Sequence, residues 1–459
     1  MIDILEAALS KLVSKHKVEH ADIRLQRIYS NMIVVTNGKV ERIIPSIELA
    51  GSVRVLKGTI GLSIFTRQDK EAIGQAAERA TKIAEAASVN FKEKVGLASA
   101  PQVEDDVKLG DVTDPREVPI DEKKEIILSC DAAARSTDER IVGTNFRYID
   151  EVYERFFVNS DGSKIQESHP YTELRTIVTA REGARISRCI GRIGASAGQE
   201  LMAMADPLSS AQQVAKDAVE LLSAEEPPSG KLPAILDPRL TGLLASSTGL
   251  MGCAHNALIP EGELGGFAGR LGEQLAPESF VLYDDPTSPG LPVFYKYDEE
   301  GVLARPTTLI ENGVLKSYLH SKTTAYLFNT VVEGHARCQN ALFAPRPYVS
   351  NTIVKSGDLK FEEMVEGIKD GIYLTGLTGA STTRIMSGNA ERGYLIKNGK
   401  LGRAVLSPSF TLDIVNELKN IDGVGSDFEV LQIRLTEEEE SMVTSGAGPH
   451  LRFSELRIG

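Results

Sequence analysis

The sequence predicts an α+β fold: an N-terminal α/β region with a curved sheet and packed helices, then a β-rich C-terminal domain with few helices. Three observations predict it. Helix-period and strand-period segments alternate through the first half. A Pro-Pro-Ser-Gly break then interrupts the chain. Beyond the break, short strands with Asn-Gly turns predominate.

Residues 2 to 15 place Ile2, Leu5, Leu9, Leu12 and Val13 on one helical stripe. From Ala21 to Phe65 the pattern is that of strands, with a hairpin turn at Asn37-Gly38, where both residues tolerate positive φ. A helix capped by Asp69 follows, its inner face made of Ile73, Ala76, Ala77, Ala80, Ile83 and Ala84. Residues 91 to 118 are acidic and irregular, as a connector would be. A third helix is expected over 121–135. A strand hairpin turning at Asn159-Ser160-Asp161-Gly162 and further strand over 172–196 come next, then a helix over 209–222. The break at Glu225-Glu226-Pro227-Pro228-Ser229-Gly230 stops that helix. The expected division is 1–224 (with subdomains 1–90 and 118–224), a linker at 225–233, and a C-terminal domain at 234–459. Helices are expected there over 240–255, 361–369 and 409–419, and turns at Asn312-Gly313 and Asn398-Gly399.

Composition narrows the function classes. The 459 residues carry a net charge of −13 with no Lys/Arg block, which disfavours direct binding to nucleic acid. Tryptophan is absent and aromatics are 6%, which gives little material for base stacking. No apolar run is long enough to span a membrane, and the first residues lack the features of a secretory signal. Four dispersed cysteines, Cys130, Cys189, Cys253 and Cys338, fit a reducing compartment, so a cytoplasmic location is expected.

The chemistry-bearing residues have bland readings. The Gly51–Gly58 stretch has no phosphate-loop pattern. Asp284-Asp285 and Asp298-Glu299-Glu300 suit turns between strands, where Asp and Gly are favoured for backbone reasons. Cys253 and His255 point to different sides of one helix and so cannot chelate together unless it breaks. Glu333, His335 and Cys338 have metal-like spacing within a loop. The run Thr436 to Ser441, with its four glutamates, reads as a solvated, charged loop, the alternative being a segment that repels acidic peptides or docks a basic patch on a partner.

Several segments in order resemble the TldD/PmbA family, known also as modulators of DNA gyrase. They are Gly51 to Leu62, Ala234-Ile235-Leu236-Asp237-Pro238, Gly272-Glu273 leading to Asp284-Asp285-Pro286-Thr287, and Tyr297-Asp298-Glu299-Glu300-Gly301. Thr308 to Leu315, Ala344-Pro345-Arg346-Pro347, Ser350-Asn351-Thr352, Gly393 to Gly399 and Gly448-Pro449-His450-Leu451-Arg452 continue the series. The resemblance covers nearly the whole chain.

The resemblance implies one of two subunit kinds. TldD looks like a zinc peptidase with a His-Glu-x-x-x-His helix and a C-terminal cysteine ligand. PmbA, also called TldE, lacks these and joins TldD in a heterodimer that trims unfolded or leader peptides. Catalytic zinc needs about three His, Cys or carboxylate ligands, with a glutamate to take the proton of the attacking water. Here the family positions fall on Thr248, Gly249, Cys253 and Thr436. Residues 239–260 contain no Asp or Glu, and no cysteine follows Cys338. The chain is therefore expected to be a non-catalytic subunit with no cofactor of its own, zinc residing only in a TldD-type partner. His255, His335 and Arg337 are its peptide-cleft candidates, with a homodimer of the isolated chain left open. The alternatives are a stand-alone peptidase using an atypical site, such as a Ser247, Thr248 or Cys253 nucleophile, and a regulator of DNA gyrase.

Overall fold

The computed structural model describes every residue except 90–94, 109, 111, 382, 438 and 439, together with the backbone but not the side chain of Glu437. The expected helices and strands of the first half are present: α1 (Ile2–His16), β1 (His20–Thr36), β2 (Lys39–Lys57), β3 (Thr59–Phe65) and α2 (Lys70–Ser88). They are followed by β4 (Glu104–Lys108), α3 (Ile120–Arg135), β5 (Ile141–Asn159), β6 (Lys164–Glu182), β7 (Arg185–Ala195), α4 (Glu200–Met204) and α5 (Pro207–Glu220). Asn37, at φ 51°, and Gly38, at φ 77°, make the first hairpin turn. Asp69 caps α2 by accepting from the Ala72 N–H at 2.8 Å.

The seven strands form one sheet in the order β3-β2-β1-β5-β6, with β4 and β7 both on the far side of β6. Strands of 17 to 19 residues are long enough to carry two helical layers on one face. At one end Ile23, Leu25, Val53 and Val158 pack against α1 and α2. At the other end Ile33, Phe146, Leu174 and Val178 pack against α3 and α5. The opposite face of the sheet is polar and turns towards the C-terminal domain. The connector, expected to be irregular, contains β4, because residues 104–108 pair in parallel with β6. Positions 91–94, 109 and 111 of that connector lie outside the described residues. β3 pairs only with residues 51–57 of β2, so among the described residues the outer edge of 39–49 has no strand upon it, and Ile43, Ile44 and Ile47 are exposed there.

The C-terminal half builds two sheets around one helix. β8 (Gly230–Leu236) lies inside a nine-stranded sheet whose outermost strand on one side is Gly379–Ser381. A six-stranded sheet ends on the strand Glu429–Glu437, which pairs with Glu440–Gly448. α6 (Pro238–Met251) lies between the sheets, and every residue of it except Arg239 is buried. Asp237 caps it through the Leu240 N–H at 2.8 Å.

Four expectations need correction. Ile83, expected on the inner face of α2, is exposed. The helix expected over 240–255 stops at Met251. Gly252 and Ala254 then exchange backbone hydrogen bonds with Leu319, so Cys253 is extended, and a short α7 (Ala254–Ala257) follows. The segment expected to be helical from 409 begins as a strand, Ser409–Asp413, because it pairs with Ile385–Asn389 and with the strand Leu451–Ile458. It turns helical only at Ile414–Glu417, capped by Asp413. The acidic run at 436–441 is not wholly a loop but the end of a strand hairpin, and Glu440 is buried.

Close approach of α6 to the strand Glu440–Gly448 needs glycine on both sides. A Cβ on Gly242 would lie 2.5 Å from the Gly446 carbonyl oxygen, and backbone on both sides leaves nothing flexible to yield. Replacing Gly242 by Ala should destabilise the chain by about 1–3 kcal/mol or more, measured by denaturant unfolding. The same substitution at Gly74, where an added Cβ meets nothing within 4 Å, should not destabilise it.

Candidate functional site

One cavity lies in the groove between the N-terminal sheet and the C-terminal domain, a second lies within the C-terminal domain, and Arg434 lines both. The first, of about 270 Å³, is walled by Glu151, Tyr153 and Arg155 of β5 and by His169 and Tyr171 of β6. Residues 292–295, 336–340 and 441–443 of the C-terminal domain complete it. Strand alternation explains the contribution of the sheet: 151, 153 and 155 share one face of β5, as 169 and 171 share one face of β6.

Ion pairs across the domain boundary fix the floor of this cavity. Arg155 donates to Glu299 and to Glu167, each at 2.7 Å, and to the Tyr297 carbonyl. Deeper in, Arg54 donates to Asp22 at 2.7 Å and also reaches Glu300. Burial opposes ionisation of Asp22, but the Arg54 guanidinium and His20 hold its carboxyl well below the usual range. The acidic turn at 298–300 is therefore an interdomain anchor. The side chain of Asp298 accepts from the backbone N–H groups of Glu300, Val302 and Ala336.

The wall is an aromatic and carboxylate network. Tyr153 stacks on His169 with centroids 5.5 Å apart and donates to Glu151. Tyr171 donates to Glu173 at 2.8 Å, and the Gln432 amide reaches the same carboxylate at 2.8 Å. Burial, with the nearby Arg155, lowers the His169 imidazole to about 3. Burial also raises Glu151 above its ordinary value. Both shifts follow from burial, which disfavours the charged form of each group, and Glu151 is hydrogen-bonded by Tyr153.

The second cavity, of about 570 Å³, is lined by Leu250 at the end of α6, Asn256 of α7, and Ile259, Glu263 and Leu264. Ala380, Ser381 and Thr383 form one side, and Arg434, Leu435 and Thr436 the other. Each side is an outermost strand of its own sheet, so two strand edges, unpaired among the described residues, border this space.

The candidate residues named from the sequence scatter over this arrangement rather than converge on it. Thr248 is buried, and its hydroxyl donates to the Leu244 carbonyl at 2.7 Å. Ser247 does the same to Leu243 at 2.8 Å. Gly249 faces Thr352 and Val349, either of which an added Cβ would meet at 2.8 Å or less, so no side chain fits there. Cys253 is buried, with its thiol 3.7 Å from the Gly249 carbonyl. Thr436 does line the second cavity. Among the cleft candidates, Arg337 lines the first cavity and donates to the carbonyls of Val349 and Val443. His335 is fully buried between Thr307, at 2.8 Å, and Asp284, at 3.4 Å, and lines neither cavity. Nor does His255. The residues that sequence reasoning missed are Arg434, Asn256, Glu263 and the Tyr153–His169–Tyr171 wall. Only their alternation on the two long strands hinted at a shared face.

Zinc does not fit this donor set. Around the second cavity stand one carboxylate, Glu263, an amide and hydroxyls, where a catalytic zinc takes about three ligands from His, Cys and carboxylate. Among the described residues no group of three or more His, Cys, Asp and Glu side chains is arranged to hold a metal ion.

Fold and cleft define a mixed α+β protein with a groove between its N-terminal sheet and its C-terminal half. Three family models match in series: PmbA/TldA metallopeptidase domain 1 over 21–84, the central domain over 113–224, and the C-terminal domain over 229–459. The chain belongs to the PmbA/TldD metallopeptidase family. It is similar to a metalloprotease of Methanothermobacter thermautotrophicus, 32% identical over 449 residues and 96% of each chain. Its fold is similar to that of a Thermotoga maritima protein described as a candidate modulator of DNA gyrase, with a TM-score of 0.80 and 22% identity over 100% of both chains. TldE from Thermococcus kodakarensis has a TM-score of 0.74 and 19% identity over 98% of this chain and 100% of that one. No helix among the described residues is long and apolar enough to cross a membrane.

With the imidazole held near pKa 3, His169 should stay neutral throughout pH 5–8. Its ring ¹⁵N shifts in NMR are the check: a titration midpoint near 6.5 would show that burial does not hold the ring neutral.

Proposed function

We propose that this chain is a non-catalytic, peptide-binding subunit of a PmbA/TldD-type proteolytic assembly, working in the cytoplasm beside a zinc-bearing TldD-type partner. The observation that carries it is the lining of the second cavity. Relatives are named metalloproteases, yet the positions to which the resemblance assigns metal chemistry hold Thr248, Gly249, Cys253 and Thr436; Thr436 alone of these lines the cavity, which offers a single carboxylate, Glu263. A side chain at Gly249 has no room, so no single substitution there would restore a general base.

Two further observations support peptide binding and pairing. The strand edges at Gly379–Ser381 and Glu429–Glu437 offer backbone groups to an extended peptide, which would gain main-chain hydrogen bonds whatever its sequence. The open edge of β2 over 39–49, with Ile43, Ile44 and Ile47 exposed, suits a partner subunit that covers it. Arg337 and Arg434 are the cleft residues assigned to peptide contact.

Metal analysis and peptide cleavage test the proposal together. The purified chain should retain no stoichiometric zinc after dialysis. It should leave an unfolded peptide intact with or without chelator, and should co-elute with a zinc-bearing family member. Retained zinc together with chelator-sensitive cleavage by this chain alone would establish the stand-alone peptidase instead.

A further inference from the structure

Three arginines stand directly opposite one another across three adjacent strands: Arg147 of β5 pairs with Arg175 of β6, and Arg175 with Arg192 of β7. Arg188 lies four residues from Arg192 on β7. Strand spacing sets neighbouring members of the row about 4.8 Å apart at the backbone, so the row spans about 10 Å. Like charges directly opposite one another in a sheet are destabilising. The row is also poorly compensated. Arg147 reaches Glu173 at 3.3 Å, but Arg175, Arg188 and Arg192 have no ion-pair partner among the described residues. The Nε atoms of Arg147 and Arg175 are buried without a hydrogen-bond acceptor, so part of each cation is withdrawn from water with nothing in exchange. Burial, then the fields of Arg192, Arg147 and Arg188, push the Arg175 guanidinium below its ordinary value.

The row lies on the working face of the sheet. Arg147 shares strand parity with Glu151, Tyr153 and Arg155, and Arg175 with His169 and Tyr171, with no register shift between them. It is therefore on the face that walls the first cavity, displaced along the strands. Across from it the C-terminal domain presents Arg239, engaged with Glu429 at 3.2 Å, so Glu429 is already occupied. A chain with net charge −13 has gathered arginines from three strands beside its cleft, most of them unpaired among the described residues.

We infer that the Arg147–Arg175–Arg192 row, with Arg188, is a docking site for an acidic segment of a bound peptide, held by carboxylates that complete the arginines' hydrogen bonding. This rests on the peptide-binding reading above and adds a substrate class to it. An extended peptide places alternate side chains on one side about 7 Å apart, within reach of two or three guanidiniums. Guanidinium forks take carboxylates in bidentate fashion, so each pair is both charged and directional. The strip lies further along the same sheet face, beyond Tyr171 and the buried Glu173–Gln432 contact.

The test titrates three labelled, unstructured peptides of equal length into the full chain: one bearing spaced glutamates, one with glutamines in their place, and one with lysines. The glutamate peptide should bind on the order of tenfold more tightly than the glutamine peptide, which corresponds to about 1.4 kcal/mol. The margin should shrink as salt rises. Arg175→Gln combined with Arg192→Gln should abolish the margin and leave affinity for the glutamine peptide unchanged. Loss of mutual repulsion should keep the melting temperature of this variant at or above that of the parent. Arg192→Gln alone, at an exposed position, provides a second variant that should lower the margin. Equal binding of glutamate and glutamine peptides would overturn this inference and leave the peptide-binding reading standing. Binding of no peptide at all would overturn both. A short DNA duplex that outcompetes the glutamate peptide and loses affinity in the same variants would overturn the acidic peptide as occupant.

Discussion

The interior position of α6 constrains everything around it. A helix enclosed by two sheets has no solvent face, and its residues from 240 to 251 are accordingly aliphatic, small or hydroxylated. The hydroxyls of Ser247 and Thr248 turn back onto the carbonyls of their own helix. Close contact at Gly242 and Gly446 brings the helix against its strand, and contact at Gly249 with Thr352 seals another side. An unpaired charge in that helix would be costly. The same packing that stabilises the C-terminal domain therefore leaves the end of the helix, at Leu250, as its contribution to the second cavity.

The other organising contact is the polar boundary between the two halves. Arg24, Arg54 and Arg155 leave the sheet to meet the Phe343 carbonyl, Glu300 and Glu299. Buried ion pairs of this kind add little net stability over well-packed apolar groups, yet removing one partner leaves an uncompensated charge, so they fix geometry more than they strengthen it. Here they hold the sheet at a set distance from the C-terminal domain, and the cleft is the space that remains. Glu391 adds a fourth tie by accepting from the Ile190 N–H of β7 at 2.7 Å.

Much of the fold was legible because it follows local rules. The alanine face of α2, the Asn37-Gly38 turn and the alternation on β5 and β6 each declare themselves over a few residues. The misreadings had non-local causes. Cys253 leaves the helix because Leu319, far away in sequence, binds the backbone on either side of it. Ser409 to Asp413 is a strand because two distant strands claim it. His335 has the neighbours of a metal motif in sequence, yet it is buried against Thr307 and Asp284.

The sequence by itself determined the class, the family resemblance and a chemical deficit: residues 239–260 offer no carboxylate, and composition alone is enough to read that. Only the tertiary structure decided which side chains meet. Arg434, Asn256 and Glu263 border one cavity although nearly two hundred residues separate them in part. The arginines at 147, 175 and 192 look dispersed in a chain of net charge −13, and no basic block marks them. Strand register sets them side by side, because pairing in a sheet depends on which strands are neighbours and not on their distance along the chain.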